Sequence, residues 1–262
     1  MNKKREMFLL ISLILLFLAI NYNSLDGYVT KFAKNSDVKI VERVIDGDTI
    51  VVWNNTHVRL LGINTPEKNE LYYQEAKNFM NNSVFNKTIT LEYGKEKTDL
   101  YGRTLAYVIL NGKNINLEQV RNGFANFYIY SNDEYTSGLK EAWGECLANG
   151  KNLCEKSKNK CAECIELKDL NVKEQEVIFY NNCSFECDLT SWKIKDEGRK
   201  NFIFPSFILK KNSDVKIIVE NKTNSENILY WKDKDYVWTA GGDSLFLRDN
   251  LGKLVLWKEI GR

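Results

Sequence analysis

Hydrophobic and polar positions in the first part of this chain follow two periods, one typical of strands and one typical of helices. From residue 38 onward, β-branched residues alternate with polar ones in places, which predicts strands. Further strands are expected at 88–94 and 104–110. Apolar residues at helical spacing over 69–85 predict a helix with one buried face, and 116–125 and 136–151 are also expected to be helical. This order of elements predicts a small β-barrel with helices packed on it.

The second part of the chain has a different pattern, in which short apolar strands recur at near-regular intervals with turn residues between them. These strands are expected at 176–182, 190–196, 201–209, 214–220 and 243–249. Such spacing is typical of an all-β sandwich. The intervening stretch is rich in Lys, Asn, Glu and Cys, and we interpret 154–169 as a cysteine-containing linker.

The N-terminal segment 1–22 has the layout of an export signal, because Lys3, Lys4 and Arg5 precede an apolar run over 7–20. No clear small-x-small cleavage site follows, so a removed signal peptide and an uncleaved membrane anchor both stay open. A buried core helix is the third alternative, but nothing amphipathic marks the stretch. The remainder of the chain is therefore expected outside the cytoplasm, either secreted or attached to the membrane.

The formal net charge of +2 is small, so any contact with nucleic acid must come from charges placed locally. His57 is the one histidine of the chain, which excludes reactions that need two histidines and excludes clusters of histidine ligands.

The six cysteines favour disulfides in an exported protein, with 15 possible complete pairings. Cys183 and Cys187 flank a predicted turn and could pair locally. The alternative is a zinc site with four thiolates, at Cys146, Cys154, Cys161 and Cys164.

A group of polar residues interrupts apolar surroundings near the start of the predicted barrel. It comprises Asp48, Arg59, Asn64, Thr65 and Glu67, and the segment YGR adds Arg103. Carboxylate, amide and hydroxyl oxygens suit Ca²⁺ or Mg²⁺, and two guanidinium groups match a phosphate. A nearby carboxylate can position or deprotonate a water, so the set indicates phosphodiester hydrolysis.

The geometry of this group depends on a hairpin. If Asn54 and Asn55 are a two-residue turn, Arg59 faces Ile50 and lies diagonally next to Asp48 on the same face. A structural alternative exists, in which Asp46 to Asp48 merely form a turn and Arg59 pairs with a carboxylate.

Four segments in order, VIDGDTI, VRLLGINTPE, DLYGRTLAYV and NLEQVRNGFA, resemble the signature blocks of the thermonuclease family over residues 38–153. The resemblance implies a calcium-dependent nuclease of DNA or RNA, built on a five-stranded OB-fold barrel. It implies that Asp48 is the metal carboxylate, that Thr65 offers its backbone carbonyl to the metal, and that Arg59 and Arg103 bind phosphate. It implies that Glu67 orients or activates the attacking water.

Asn64 departs from the family pattern, which has a metal-binding aspartate at this position. The amide still offers an oxygen, but the site loses a negative charge, so we expect weaker binding of Ca²⁺ or a change to another divalent ion. The resemblance also implies tyrosines that contact the nucleotide, for which Tyr101 and Tyr128 are the candidates.

The second part of the chain resembles the lamin-tail domain, an immunoglobulin-like β-sandwich, over residues 170–262. The matching features are Asp188-Leu189 before Ser191-Trp192, the segment 202–205, Trp238 followed by Gly242-Asp243, and the closing segment 247–252. Such a domain could bind substrate, cell wall or surface partners, or it could be a passive appendage. We interpret its tryptophans, Trp192, Trp231, Trp238 and Trp257, as packing residues.

Two functions remain after these observations. The first is an exported metal-dependent nuclease, and the second is a catalytically weak or inactive module that binds nucleic acid or a surface. Arg59, Glu67 and Arg103 are all present, which favours the enzyme.

Overall fold

The computed structural model describes residues 3–22 and 36–261, and it divides the chain into two compact units at residues 37 and 38. In the first unit, the apolar N-terminal run forms helix α1, Lys3–Ile20. Within the described ranges, no helix combines the length and the apolar character needed to cross a bilayer.

The second unit begins with a closed β-barrel. Its strands are β1 Ser36–Val44, β2 Thr49–Val52, β3 Thr56–Leu60, β4 Ile63–Asn64, β5 Thr88–Thr98, β6 Thr104–Leu110, β7 Lys113–Asn114 and β8 Asn126–Phe127. The sheet order is β3-β2-β1-β5-β6-β7, and the parallel pairing of β3 with β6 closes a barrel of five strands. The mainly β fold with packed helices is therefore confirmed for this part of the chain.

The β2–β3 hairpin differs from the prediction by one residue in register. Thr49 pairs with Arg59 and Val52 with Thr56, so the turn contains Trp53 as well as Asn54 and Asn55. The shift is caused by β1, the strand that pairs with the other side of β2. The Trp53 N–H donates to the Ile40 carbonyl on β1 at 3.0 Å, so it cannot form a hydrogen bond with β3. The predicted pairing of Arg59 with Ile50 was wrong.

Three helices pack on the barrel, close to where the apolar periodicity places them. They are α2 Tyr73–Val84, α3 Ile115–Arg121 and α4 Thr136–Asn149. The Asn114 side chain accepts hydrogen bonds from the N–H groups of Asn116 and Leu117 and so caps α3. Gly150, with φ of 59°, ends α4 in the left-handed conformation that glycine adopts at low cost.

The second part of the chain is a two-layer β-sandwich, as the strand spacing predicts. Its strands are β9 Ile165–Asn171, β10 Glu176–Asn181, β11 Cys187–Asp188, β12 Lys193–Lys195, β13 Asn201–Ile203, β14 Ile208–Leu209, β15 Asp214–Ile218, β16 Ile228–Tyr230, β17 Asp243–Arg248 and β18 Leu254–Ile260. Its main sheets have the orders β16-β15-β10-β9 and β13-β12-β17-β18. Since β9 begins at Ile165, the predicted linker 154–169 includes the start of a strand.

All six cysteines are paired in disulfides, and the pairs are Cys146–Cys154, Cys161–Cys187 and Cys164–Cys183. The expected local pairing of Cys183 with Cys187 was wrong, and the four-thiolate zinc arrangement is not formed. Because the segment before β9 lacks large apolar residues, two nested disulfides, with Cys164–Cys183 inside the loop closed by Cys161–Cys187, tie it to the sandwich in place of a hydrophobic contact.

Aromatic residues join the barrel side of the second unit to the sandwich. The Trp143 ring on α4 lies 5.6 Å from the Phe246 ring on β17 and 6.0 Å from the Trp257 ring on β18. The Phe127 ring also lies 6.0 Å from that of Trp257. Trp192, Trp231 and Trp238 are buried within the sandwich, so all four expected tryptophans pack.

Candidate active site

The centre of the candidate site is Asp48, which lies in the bend between β1 and β2 and is only 3% exposed. Its Oδ2 accepts hydrogen bonds from the Thr65 N–H at 2.9 Å and from the Thr65 hydroxyl at 3.0 Å. Gly47 permits this close packing, because a Cβ there would lie 2.7 Å from the Thr65 methyl carbon. The bend therefore positions a buried carboxylate against the residue that follows β4.

Arg59 on β3 lies against the same carboxylate, with its Nε 3.4 Å from Asp48 Oδ1. Its terminal nitrogens donate to the carbonyls of Leu60 at 2.5 Å and Ile63 at 2.7 Å. The contact predicted between Asp48 and Arg59 is formed despite the different register, because Asp48 precedes the strand and its side chain is not bound to strand alternation. The guanidinium is thus held in one orientation before any substrate arrives.

Asn64 uses both atoms of its amide in this structure. Its Oδ1 accepts from Arg59, and its Nδ2 donates to the Glu197 carbonyl at 2.7 Å. Glu197 belongs to the loop between β12 and β13 of the sandwich. Asn64 therefore bridges the barrel arginine and the second domain.

Glu67 lies further toward solvent, three residues after Asn64. Its backbone N–H donates to Glu70 at 2.8 Å, and its side chain forms an ion pair with Arg199 at 2.8 Å. Arg199 lies in the same β12–β13 loop as Glu197. Burial acts to raise the pKa of Glu70, but the Lys195 ammonium, the Glu67 N–H and the charge of Lys193 together hold the pKa below its ordinary value.

Arg103 and Tyr101 form a second group, in the turn that leads into β6. Asp99 accepts from the Arg103 Nε at 2.7 Å, and the Arg103 guanidinium lies 5.5 Å from the centre of the Tyr101 ring. Because Thr104 pairs with Val58, this turn adjoins the strand that carries Arg59. The Tyr101 side chain is exposed, as a ring that stacks on bases requires.

Tyr128 is half-buried beside the β12–β13 loop. Burial, followed by the charges of Glu197 and Asp196, raises the pKa of its hydroxyl. The neighbouring Ile129 N–H donates to the Glu197 carboxylate at 3.1 Å. Tyr128 is therefore less accessible than the exposed Tyr101.

The oxygen atoms around Asp48 fit a hard divalent cation in their chemistry. Asp46 lies beside Asp48, whose N–H donates to Asp46 Oδ1 at 3.0 Å, and burial together with the charge of Asp48 raises the pKa of Asp46. A cation would relieve that repulsion. The buried Asp48 and Thr65 could supply oxygen ligands, with Asp48 Oδ2 accepting from Thr65 and the Asn64 oxygen accepting from Arg59 in this structure.

The comparisons with known proteins identify the family of each half of the chain. Residues 57–156 match the family described as staphylococcal nuclease homologue, and residues 156–261 match the lamin tail domain. A thermonuclease of Staphylococcus intermedius is 33% identical over 162 residues, which cover 56% of this chain and 95% of that protein. The chain belongs to the staphylococcal nuclease family.

Two further relatives extend the comparison. A thermonuclease of Staphylococcus hyicus is 34% identical over 129 residues, which cover 45% of this chain and 76% of that protein. An uncharacterized endonuclease of Haemophilus influenzae is 37% identical over 98 residues, which cover 36% of this chain and 54% of that protein.

This staphylococcal nuclease family member has site contacts that sequence reasoning missed, namely those of Glu197 and Arg199 in the lamin-tail domain. All the candidate site residues were expected in the barrel. The available signal was the charged run KIKDEGRK over 193–200, which is unusually dense for a hairpin. Its partner surface could not be inferred, because the contact spans more than a hundred residues of chain.

Proposed function

We propose that this protein is an exported, metal-dependent nuclease that hydrolyses phosphodiester bonds in DNA or RNA. The observation that carries the proposal is the buried ion pair between Asp48 and Arg59, which lies beside the Thr65 hydroxyl. Burying two charges is costly unless they are used or well paired. A site that binds a cation and a phosphate would explain why the barrel contains these two buried charges.

The chemistry follows from the positions of the side chains. Arg59 and Arg103 would bind the phosphate and neutralise the charge that develops on its oxygens. Glu67, at the solvent side, would orient the attacking water or accept its proton. Tyr101 and Tyr128 would contact the nucleotide, with Tyr101 better placed for stacking because its ring is exposed.

Asp48 and the Thr65 carbonyl would hold the metal, with Asn64 as a weaker neutral ligand. A divalent ion there would supply positive charge for the phosphate oxygens. We propose Ca²⁺, from the resemblance to the family, with weaker binding than an aspartate at position 64 would give.

Export is supported by two features of the chain. The basic and apolar N-terminal segment has the order of a signal, and all six cysteines form disulfides, which persist in oxidising compartments. We propose an extracytoplasmic location, with the N-terminal segment as its signal or attachment to the membrane.

A catalytically weak binding module is the second candidate, and Asn64 is the observation that favours it. Both atoms of its amide are engaged in hydrogen bonds, so the site could retain phosphate binding with little affinity for metal. Arg59, Glu67 and Arg103 are retained together, which favours catalysis.

A cleavage assay on the full chain tests the proposal. Labelled single-stranded DNA and RNA are incubated with Ca²⁺, with Mg²⁺ and with chelator, using wild type, Glu67→Gln and the control Glu75→Gln on the exposed side of α2. We expect cutting that requires a divalent ion and that falls at least about a hundredfold in Glu67→Gln alone. Tight binding without cutting under any ion would establish the second candidate instead.

A further inference from the structure

The loop between β12 and β13, residues 196–200, reaches from the lamin-tail domain into the nuclease site. Three contacts fix it there. Asn64 Nδ2 donates to the Glu197 carbonyl at 2.7 Å, the Ile129 N–H donates to the Glu197 carboxylate at 3.1 Å, and Arg199 pairs with Glu67 at 2.8 Å. The loop therefore touches both the candidate metal side of the site and the residue proposed to handle water.

We propose that Arg199 is a third phosphate-binding arginine of the nuclease, supplied by the lamin-tail domain. This inference rests on the proposed nuclease function and deepens it. The reacting phosphate has to lie next to the water that Glu67 orients, and Arg199 already contacts Glu67. Its planar guanidinium can bind two phosphate oxygens and stays charged at any working pH.

The loop is held firmly enough to place such a side chain. The Asp196 carboxylate accepts the Lys200 N–H at 2.9 Å, and the Asp196 N–H donates to the Lys200 carbonyl at 3.1 Å, which closes the turn around Arg199. Lys195 at its base pairs with Glu70 at 3.1 Å. Aromatic packing between Trp143, Phe246 and Trp257 also joins the two domains.

Asn64 gives independent support for a specific contact between the barrel and the β12–β13 loop. The Glu197 carbonyl requires a donor, and an aspartate at position 64 would place a carboxylate oxygen against it. The amide that departs from the family pattern is therefore the group that this loop needs. Asn64 is the candidate site residue that departs from the family pattern, and it is also the residue that donates to the loop.

The exposure of the Arg199–Glu67 ion pair fits a role of Arg199 in binding phosphate. It fits less well with the alternative, in which Arg199 blocks Glu67 and keeps substrate out. The side chains of Arg199 and Glu67 are 55% and 50% exposed. Ion pairs at this exposure shift an equilibrium by less than about fivefold, so this one cannot keep substrate out. A phosphate can take the guanidinium and release Glu67 for its role with water.

The test is binding of fluorescein-labelled single-stranded DNA and RNA to the full chain in the presence of chelator, measured by anisotropy over a range of salt. The variants are Arg199→Ala, Arg199→Lys and the control Lys222→Ala. Lys222 pairs with Glu220 in the same domain at 2.8 Å, with side-chain exposures of 59% and 44%, so it matches Arg199 in pairing and exposure. Thermal melting checks that each variant is folded.

We expect Arg199→Ala to weaken binding about tenfold and to reduce the slope of log K against log salt by about 0.7. Arg199→Lys should keep the slope, and Lys222→Ala should match wild type. With metal added, Arg199→Ala should cut with kcat/KM about tenfold lower, mainly through KM.

Three outcomes would overturn the inference. If Arg199→Ala binds and cuts like wild type, the Arg199–Glu67 ion pair is only a surface contact. Faster cutting at unchanged affinity makes it a lock on Glu67. A wild-type chain that neither binds nor cuts removes the proposed nuclease and this inference together, whereas an active wild type unaffected by Arg199→Ala removes the inference alone.

Discussion

Two regions approach the same space in the site and are held in opposite ways. One is the barrel wall, formed by Asp48, Arg59 and Thr65, and the other is the β12–β13 loop. Arg59 is 7% exposed and donates to two backbone carbonyls, so its orientation is set by the fold. Arg199 is half exposed and pairs with a side chain that can move away. A buried arginine contributes to stability and preorganisation, while an exposed one can exchange partners with a ligand.

The strongest way to break this comparison is Arg59→Ala. We expect kcat/KM to fall about a thousandfold, since a preset phosphate ligand is lost. We also expect unfolding free energy to fall by about 2–4 kcal/mol, because Asp48 is left as a buried charge without its partner. Cleavage kinetics and urea unfolding measure the two effects.

Arg103→Ala is the matched variant, since Arg103 shares the proposed role but is partly exposed. It should lose activity while its unfolding free energy changes by less than about 1 kcal/mol. Equal stability losses in both variants would show that burial does not distinguish these arginines.

The next effect concerns the position where the two regions meet. Asn64→Asp removes the donor to the Glu197 carbonyl, so in chelator the unfolding free energy should fall by about 1–3 kcal/mol. The added charge should also lower the concentration of Ca²⁺ at half-saturation. Thermal melting with and without Ca²⁺ measures both.

Asn54→Asp, in the exposed hairpin turn, is the control, because aspartate tolerates the positive φ there. If Asn64→Asp leaves both the melting temperature and the half-saturation point unchanged, the bridge to the loop and the charge argument are both wrong.

A smaller effect comes from the acidic start of the loop. Burial, and then the charge of Asp243, raise the pKa of Asp196 to about 7 from 3.8. Between these values the folded chain keeps a proton that the unfolded chain releases, so stability falls as pH rises from about 4 to 7. Asp196→Asn should flatten this decline and melt above wild type at pH 8.

Asparagine keeps the oxygen that accepts from Lys200, so the turn itself should survive. Melting curves at pH 4.5, 6 and 8 decide the matter. A parallel decline in wild type and variant would mean that other groups cause the pH dependence.

The smallest expected effect is that of Lys195→Ala, which removes the partner of Glu70. The pair is partly exposed, so the loss of unfolding free energy should be below about 1 kcal/mol. Because the folded pKa of Glu70 is lowered, this contribution is fully present above the ordinary pKa and is lost as the pH falls through the lowered folded pKa. Unfolding at pH 7 and pH 3 should therefore show a larger difference between wild type and variant at pH 7 than at pH 3.

The barrel side of this comparison was predictable from sequence, and the loop side was not. Helix α2 follows from the spacing of Ala76, Met80 and Val84, all of which are buried. The polar group at Asp48 and Arg59 was conspicuous because its neighbours are apolar. These signals are local, so a single sequence contains them.

The misses have one physical cause, which is that their partners are distant in the chain. The hairpin register depends on Ile40, which accepts the Trp53 N–H. The cysteine pairs depend on how the sandwich folds over the segment before β9. The Asn64 contact depends on Glu197, 133 residues away, so an amide that looked like a weakened ligand is also a structural donor.

The aromatic contact of Trp143 with Phe246 and Trp257 has a consequence for modularity. A chain truncated near residue 156, where the two family matches meet, would keep Trp143 and Phe127 but lose the rings that cover them. Such a fragment would expose the apolar indole of Trp143 and the phenyl ring of Phe127 to solvent. The barrel half is therefore a poor candidate for exchange with domains from other proteins, since its interior includes Phe246 and Leu254 of the sandwich.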